Sequence, residues 1–431
     1  MRSGACGLVA LCGGALATSV ELEPAAAAAT LTLTAKVALG FWSQPELVSG
    51  YGFESERPQP MAFDETGDAF AVFVEPTLEA GSISPSYLVR VAMRPVDGHW
   101  QIPDTLSRLG LDPAVAVGGH GEAIVVWESL SSIEEAERPP GGNWLPSKAV
   151  LTPGGEEPQV AANAKGDVLI ASTRQAPHHS EGIEFTLRSA GGAFSPSQTI
   201  SGNENAFEPR VAMNASGDAL VAWRVDTARG CPVRAAFHLA GGGWSRPRTL
   251  SDVNAFCEGG NHRVAIDEHG GAIVAWFAQR GRPMYVEEAT RGANGRWRAR
   301  SLLAKARNVL RPEVAMDARG DAIVAWSQED HEWTRTRPAG QRWLAAQMVT
   351  NSQGLPASLA VDARGDALLT WGGLRRIVAA VKRSTDTKWQ ISTVASGAGE
   401  PTAGIDPSGN GVVAWFTHAG LNTAWGTSPF G

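Results

Sequence analysis

Residues 312–326 read PEVAMDARGDAIVAW, two short apolar runs hinged on Asp317-Ala318-Arg319-Gly320. VAM and AIVAW have the β-branched and aromatic content of buried strands, and neither shows the 3.6-residue apolar period of a helix. Asp at the first turn position and Gly at the fourth suit a type I turn closed by a glycine bulge. The stretch predicts a β-hairpin.

The same hairpin recurs along the chain. Close copies are PRVAMNASGDALVAW (209–223), HRVAIDEHGGAIVAW (262–276), ASLAVDARGDALLTW (357–371) and PTAGIDPSGNGVVAW (401–415). Weaker copies are QPMAFDETGDAFAVF (59–73), PAVAVGGHGEAIVVW (113–127) and PQVAANAKGDVLIAS (158–172). Their central glycines, from Gly67 to Gly409, are spaced 44 to 54 residues apart. A third apolar strand follows each hairpin, as in VRAAFHLA (233–240) and IVAAVKRS (377–384). A glycine turn then leads to an aromatic-headed fourth strand, as in WSRPRTLS (244–251), WRARSLLA (297–304) and WQISTVAS (389–396). Four antiparallel strands per repeat of this length is the pattern of a β-propeller, so the fold class is all-β.

The inventory sets the number of blades. Eight hairpins match eight aromatic-headed strands, but one of those strands, WSQPELVS (42–49), precedes the first hairpin, and none follows the last. The economical closure gives residues 41–49 to the last blade as its outer strand, which leaves no blade edge unpaired within the ring. Eight four-stranded blades are expected, or seven if the degenerate third copy is a distorted insert. Within each blade the Trp six residues after the central glycine (Trp127, Trp223, Trp276, Trp326, Trp371, Trp415) is expected between blades, where a large aromatic gains most from burial.

The repeat P-x-V-A-x-D-x-x-G-(D/N)-A-x-V-A-W followed by a G-G-x-W strand resembles that of secreted bacterial β-propellers, most of them without assigned function. The resemblance covers about residues 41–425 and implies the fold rather than a reaction. Sialidase-type Asp boxes place Trp five residues after Asp, whereas Asp317 and Trp326 are nine apart. Quinoprotein dehydrogenases place Trp four residues after Gly, whereas Gly320 and Trp326 are six apart, so no cofactor is carried over.

Composition bounds the remaining choices. The chain has 431 residues, 43% hydrophobic and 19% charged, with a formal net charge of −7. A basic surface dominating the whole molecule is thereby ruled out, and no nucleic-acid partner is expected. Arg2 precedes an apolar stretch, Ala5 to Val20, and then small residues up to Ala29, the layout of a secretory signal. Residues 1–29 are therefore read as signal peptide and Ala-rich segment, and 30–431 as a single propeller domain. A lipoprotein reading at Cys12 is disfavoured by Leu11, and no other apolar run is long enough for a transmembrane segment. The expected location is extracellular or at the cell envelope, and a monomer is expected.

Candidate chemistry is sparse. The repeated Asp64, Asp267, Asp317, Asp362 and Asp406, with Asp68, Asp167, Asp218, Asp321 and Asp366 after the glycine, suit a hard cation in type. A turn needs Asp at its first position in any case, and Asn163 and Asn214 substitute there, so turn chemistry is preferred and no metal is assigned. His178-His179 is read as a solvated loop, and Glu134-Glu135 and Glu287-Glu288 as solvent-facing blade surface. No catalytic motif occurs.

Loops point further. The tight D-x-x-G and glycine turns share one face, so the variable loops lie on the other, among them residues 50–59, 75–86, 175–182 and 253–262. On a rigid frame, function concentrates on such loops. Gln159, Arg210, Arg263 and Glu313 follow the proline position and open inner strands near that face, forming a polar rim at the channel mouth. The reading is a secreted binding module for a glycan, cell-envelope or protein ligand. The alternative is an extracellular carbohydrate hydrolase or lyase working at the channel mouth. Cys231 and Cys257 leave the same blade on the variable face, which predicts a disulfide in an oxidising compartment.

Overall fold

A computed structural model describes residues 42–49, 61–77, 86–152, 155–174, 182–252, 262–279, 281–310, 312–350, 355–373 and 375–426. The expected signal segment, most of the variable loops, His178-His179 and Cys257 lie outside these residues.

Eight four-stranded antiparallel sheets make up an eight-bladed β-propeller, and the third copy forms a full blade. Blades 1 to 7 span Met61–Ser107, Leu111–Leu151, Gly155–Thr199, Ala206–Thr249, His262–Ala306, Glu313–Thr350 and Leu355–Ser396. Blade 8 takes three strands from Thr402–Gly426 and its outer strand from Glu46–Leu47, which pair with Thr423 and Asn422. The ring is closed by the N-terminal strand, as the sequence predicts.

The D-x-x-G turns are held by their own acids. Asp64 Oδ1 accepts hydrogen bonds from the Thr66 and Asp68 amides, and Gly67 takes a φ of +97°, which an L side chain rarely adopts. The acid after the glycine does a second job. Asp68, Asp167, Asp218, Asp321 and Asp366 accept from the amides of Val96, Ala190, Ala240, Ala339 and Ser384, tying the first turn of a blade to its second. The repeated carboxylates are thus occupied by backbone donors. Among the described residues no group of His, Cys, Asp or Glu is arranged to hold a metal ion.

Packing runs between blades. Trp127, Trp223, Trp276, Trp326, Trp371 and Trp415 are all at most 2% exposed. Trp326 of blade 6 packs with Ile273, Ala275, Val286 and Leu303 of blade 5. Trp223 of blade 4 packs with Leu169, Ile183 and Phe185 of blade 3. The third blade has Ser172 at this position, also buried.

The fourth-strand aromatics join blades by hydrogen bonds. Trp100 Nε1 donates to Thr423 Oγ1 (2.7 Å), Trp343 Nε1 to Glu288 Oε1 (3.0 Å) and Trp389 Nε1 to Thr334 Oγ1 (3.2 Å), each in the preceding blade. Thr423, Glu288, Thr334 and Glu135 occupy one register position, opposite Ala414, Ala275, Ala325 and Val126 of the second strands. The next blade after Glu135 carries Phe194, which has no N–H to give. Glu135 instead meets Lys148 Nζ at 2.9 Å, and burial pushes its carboxyl up to about 7.

Three of the four paired acids on third strands therefore depart from expectation, while Glu134 is only half-buried. Glu135, Glu287 and Glu288 are 1%, 6% and 4% exposed rather than solvent-facing. Glu287 accepts from Trp276 Nε1 and Arg300 Nη1, and Glu288 from Thr290 Oγ1 and Trp343 Nε1. Strand alternation governs one blade; here the neighbouring blade covers the other face, and Trp343 of blade 6 adds a donor to those from the acids' own blade.

Candidate functional site

Gln159, Arg210, Arg263 and Glu313 sit on the innermost strands of four consecutive blades. They pair with Ala171, Ala222, Ala275 and Ala325, so all four hold one register position and form a continuous arc. The same position is Ser358, Thr402 and Ala114 in three other blades, opposite Thr370, Ala414 and Val126, and in blade 1 it falls on residue 60, outside the described residues. The arc is thus polar through six consecutive blades and ends at the apolar Ala114. Ser358 and Thr402 extend the arc beyond the residues singled out from sequence.

Local backbone geometry aims this arc. Asp112, Glu157 and Glu208, each just before a proline, take positive φ values of 45°, 53° and 55°. Such conformations are costly for a side-chain-bearing residue and persist only where surroundings impose them. Each lies in a register shift of the innermost strand, between Leu111 and Ala114, Glu156 and Gln159, and Phe207 and Arg210. A bulge of this kind bends the strand and re-aims the next side chain. Gln159 Nε2 and Arg210 Nη1 turn back to the carbonyls of Pro158 and Pro209.

The strongest contact in the arc crosses two blades. Arg263 Nε donates to both carboxylate oxygens of Glu313, at 2.9 and 3.1 Å, while Nη1 donates to the His262 carbonyl. Both side chains are about one-fifth exposed, at 24% and 19%, which shields the pair from full solvent screening. Immediately beneath, His262 is fully buried, and its Nε2 lies 3.3 Å from the Ala222 carbonyl of blade 4. A carbonyl only accepts, so Nε2 carries the hydrogen. Burial, then the Arg210, Arg224 and Arg263 guanidinium charges, hold this imidazole well below its usual range, so it stays neutral. His262 is a fixed inter-blade donor with no access to a ligand.

A different group on the loop-rich face has an acid's chemistry. Glu128 ends the second strand of blade 2, opposite Leu111. Burial and the neighbouring Asp112, Glu156 and Glu157 push its carboxyl up to about 7. Nothing in its sequence context marks it, because two of the acids responsible come from the next blade.

Cys231 lies in the loop between the second and third strands of blade 4 and is 1% exposed. It lines a small cavity with Arg224, Ser251 and His262.

Neither a family model nor a curated protein matches this chain. Solved structures do. A polysaccharide lyase, an ulvan lyase, is 13% identical over 83% of this chain and 96% of its own, with a TM-score of 0.47. YCF48 bound to a D1 peptide is 11% identical over 90% of this chain and 98% of its own, at 0.49. Virginiamycin B lyase from Staphylococcus aureus is 8% identical over 73% and 94%, at 0.43. Likenesses this distant carry no argument about function.

Proposed function

We propose that this chain is a secreted binding module that presents its loop-rich face, centred on the channel mouth, to a ligand from among glycans, cell-envelope components and proteins. The arc from Gln159 to Glu313 carries the reading. Four polar side chains share one register position on a frame of eight tightly packed blades, so their spacing is set by the scaffold rather than by flexible loops. The Arg263–Glu313 pair, in which Nε–H is shared by both carboxylate oxygens, sets planar donors beside acceptors, which suits the hydroxyl pairs of a glycan.

Glycan arrays probed with the whole protein test this. Binding that falls about tenfold or more in Arg210→Ala and Arg263→Ala supports the arc, the size expected when a charged hydrogen bond is lost. Unchanged binding in both variants removes the arc from the ligand site. The second reading, a carbohydrate hydrolase or lyase, draws on Glu128, whose raised pKa is that of a general acid near neutral pH. Product release that disappears in Glu128→Gln with binding intact would establish it instead.

The export reading also implies that Cys231 and Cys257 form a disulfide. Closing a loop of this length contributes about 3 kcal/mol in the chain-entropy model. Thiol titration of the unreduced, exported protein should find neither cysteine reactive; two reactive thiols would defeat the bridge.

A further inference from the structure

Between residues 296 and 307 the chain carries Arg296, Arg298, Arg300, Lys305 and Arg307 and no Asp or Glu, within a protein of net charge −7. This segment is the outer strand of blade 5, Ser301–Ala306, with the residues that lead into and out of it. Simple alternation would split its charges, since Arg298 and Arg300 are even-numbered positions and Lys305 and Arg307 odd. A register shift intervenes. Val286 pairs with Ala304 but the next residue, Glu287, pairs with Leu302, so Leu303 is the extra residue of a bulge. The phase changes there. Leu303, Ala304 and Ala306 are buried, while Lys305 and Arg307 join Arg296, Arg298, Arg300 and the half-exposed Leu302 at the surface.

The five cations thus form one exposed row along a strand edge. Arg300 hydrogen-bonds Glu287 and lies 3.8 Å from Asp252. Among the described residues, none of the other four is ion-paired. On the flanking blades, Arg248 of the outer strand of blade 4, and Arg246 and Arg342 ahead of the outer strands of blades 4 and 6, are also exposed. An acidic protein that concentrates unneutralised cations in one line has a local field opposite to its net charge, which attracts an extended polyanion.

We propose that the outer strand of blade 5 binds a linear acidic polysaccharide, whose carboxylate or sulfate groups lie along the row from Arg296 to Arg307. This site is separate from the channel mouth and does not depend on it. A polysaccharide fits better than single-stranded nucleic acid, which binds basic grooves that also offer exposed aromatic platforms for its bases. Here the exposed apolar residue is Leu302, and Trp297 is packed against the cluster of Leu250 and Phe237.

The test measures binding of the whole protein to polygalacturonate and to heparin, with neutral dextran and oligothymidylate as comparison arms, at about 50 and about 200 mM salt. At least one acidic polysaccharide should bind, more weakly at the higher salt, and dextran should not. The triple variant Arg298→Ala/Lys305→Ala/Arg307→Ala should bind about tenfold more weakly or worse, with a shallower salt dependence. The charge-keeping variant Arg298→Lys/Lys305→Arg/Arg307→Lys should stay within about twofold of the parent. Arg108→Ala/Arg229→Ala/Lys388→Ala, which removes equal charge elsewhere, should leave binding unchanged, as should Arg263→Ala at the channel mouth. Preference between the two polymers identifies the anionic group. Failure of both acidic polymers to bind, equal losses in the two alanine triples, or tighter binding of oligothymidylate would overturn the proposal.

Discussion

Trp326→Ala is expected to destabilise the propeller by about 3–5 kcal/mol, the range for deleting a large buried aromatic. Trp326 is 2% exposed, and its ring fills the seam between blades 5 and 6 against Ile273, Ala275, Val286, Leu303 and Ala304. Its indole N–H donates to Gln328 Oε1 at 3.2 Å, so truncation also leaves that amide without its donor. The seam cannot collapse readily, because both of its walls are hydrogen-bonded sheets whose spacing is set by the remaining contacts. Trp326→Phe keeps most of the ring and should cost clearly less. Urea unfolding followed by circular dichroism reads both values. A loss under about 1 kcal/mol for the alanine variant would mean that the six equivalent tryptophans do not carry the inter-blade core.

Architecture was legible because it is repeated. The D-x-x-G hairpin at 312–326 specifies two strands and a turn by local chemistry, and its recurrence specifies the ring. What sequence reading missed was set by neighbours distant along the chain. Glu288 looked solvent-facing from its own strand, yet its partner Trp343 is 55 residues away in the next blade. Glu128 has a raised carboxyl because it is buried and because Asp112 of its own blade and Glu156 and Glu157 of blade 3 approach it, none of which its own strand reveals.

Bulges were the second hidden variable. The repeat position after the proline column holds one register in Gln159, Arg210, Arg263 and Glu313, although in blade 7 the proline itself, at 356, falls one residue ahead of that column. Ser358 still fills the position, with a register shift between Leu355 and Ser358. The same kind of slip gathers the cations of 296–307 on one side. A one-residue bulge changes which face every later side chain occupies, and composition alone does not mark where it falls.

Removing residues up to 49 should have the largest effect of all, because it opens the ring. The outer strand of blade 8 contributes Trp42 and Val48, 4% and 5% exposed, to the seams with blades 7 and 1. Trp42 Nε1 donates to Ser392 Oγ, and the Ser43 and Val48 amides donate to the carbonyls of Trp425 and Leu421. Glu46 accepts from the Trp100 amide of blade 1, so the strand fastens both neighbours. Fit is tight: a side chain at Gly420, where φ is +125°, would meet the Ser49 carbonyl at 1.9 Å. Losing one buried Trp and one buried Val, with these hydrogen bonds, should cost about 5 kcal/mol or more. The truncated protein should melt markedly lower and associate through the bared edge of its last blade. Trp42→Ala, which keeps the strand, should cost about 3 kcal/mol. Adding a synthetic peptide of residues 41–49 to the truncated protein should restore part of the lost melting temperature, as ligand binding to the folded state requires. A scrambled peptide should not. Unchanged melting after truncation would show that the ring is held by the other seven outer strands and that the N-terminal strand is dispensable.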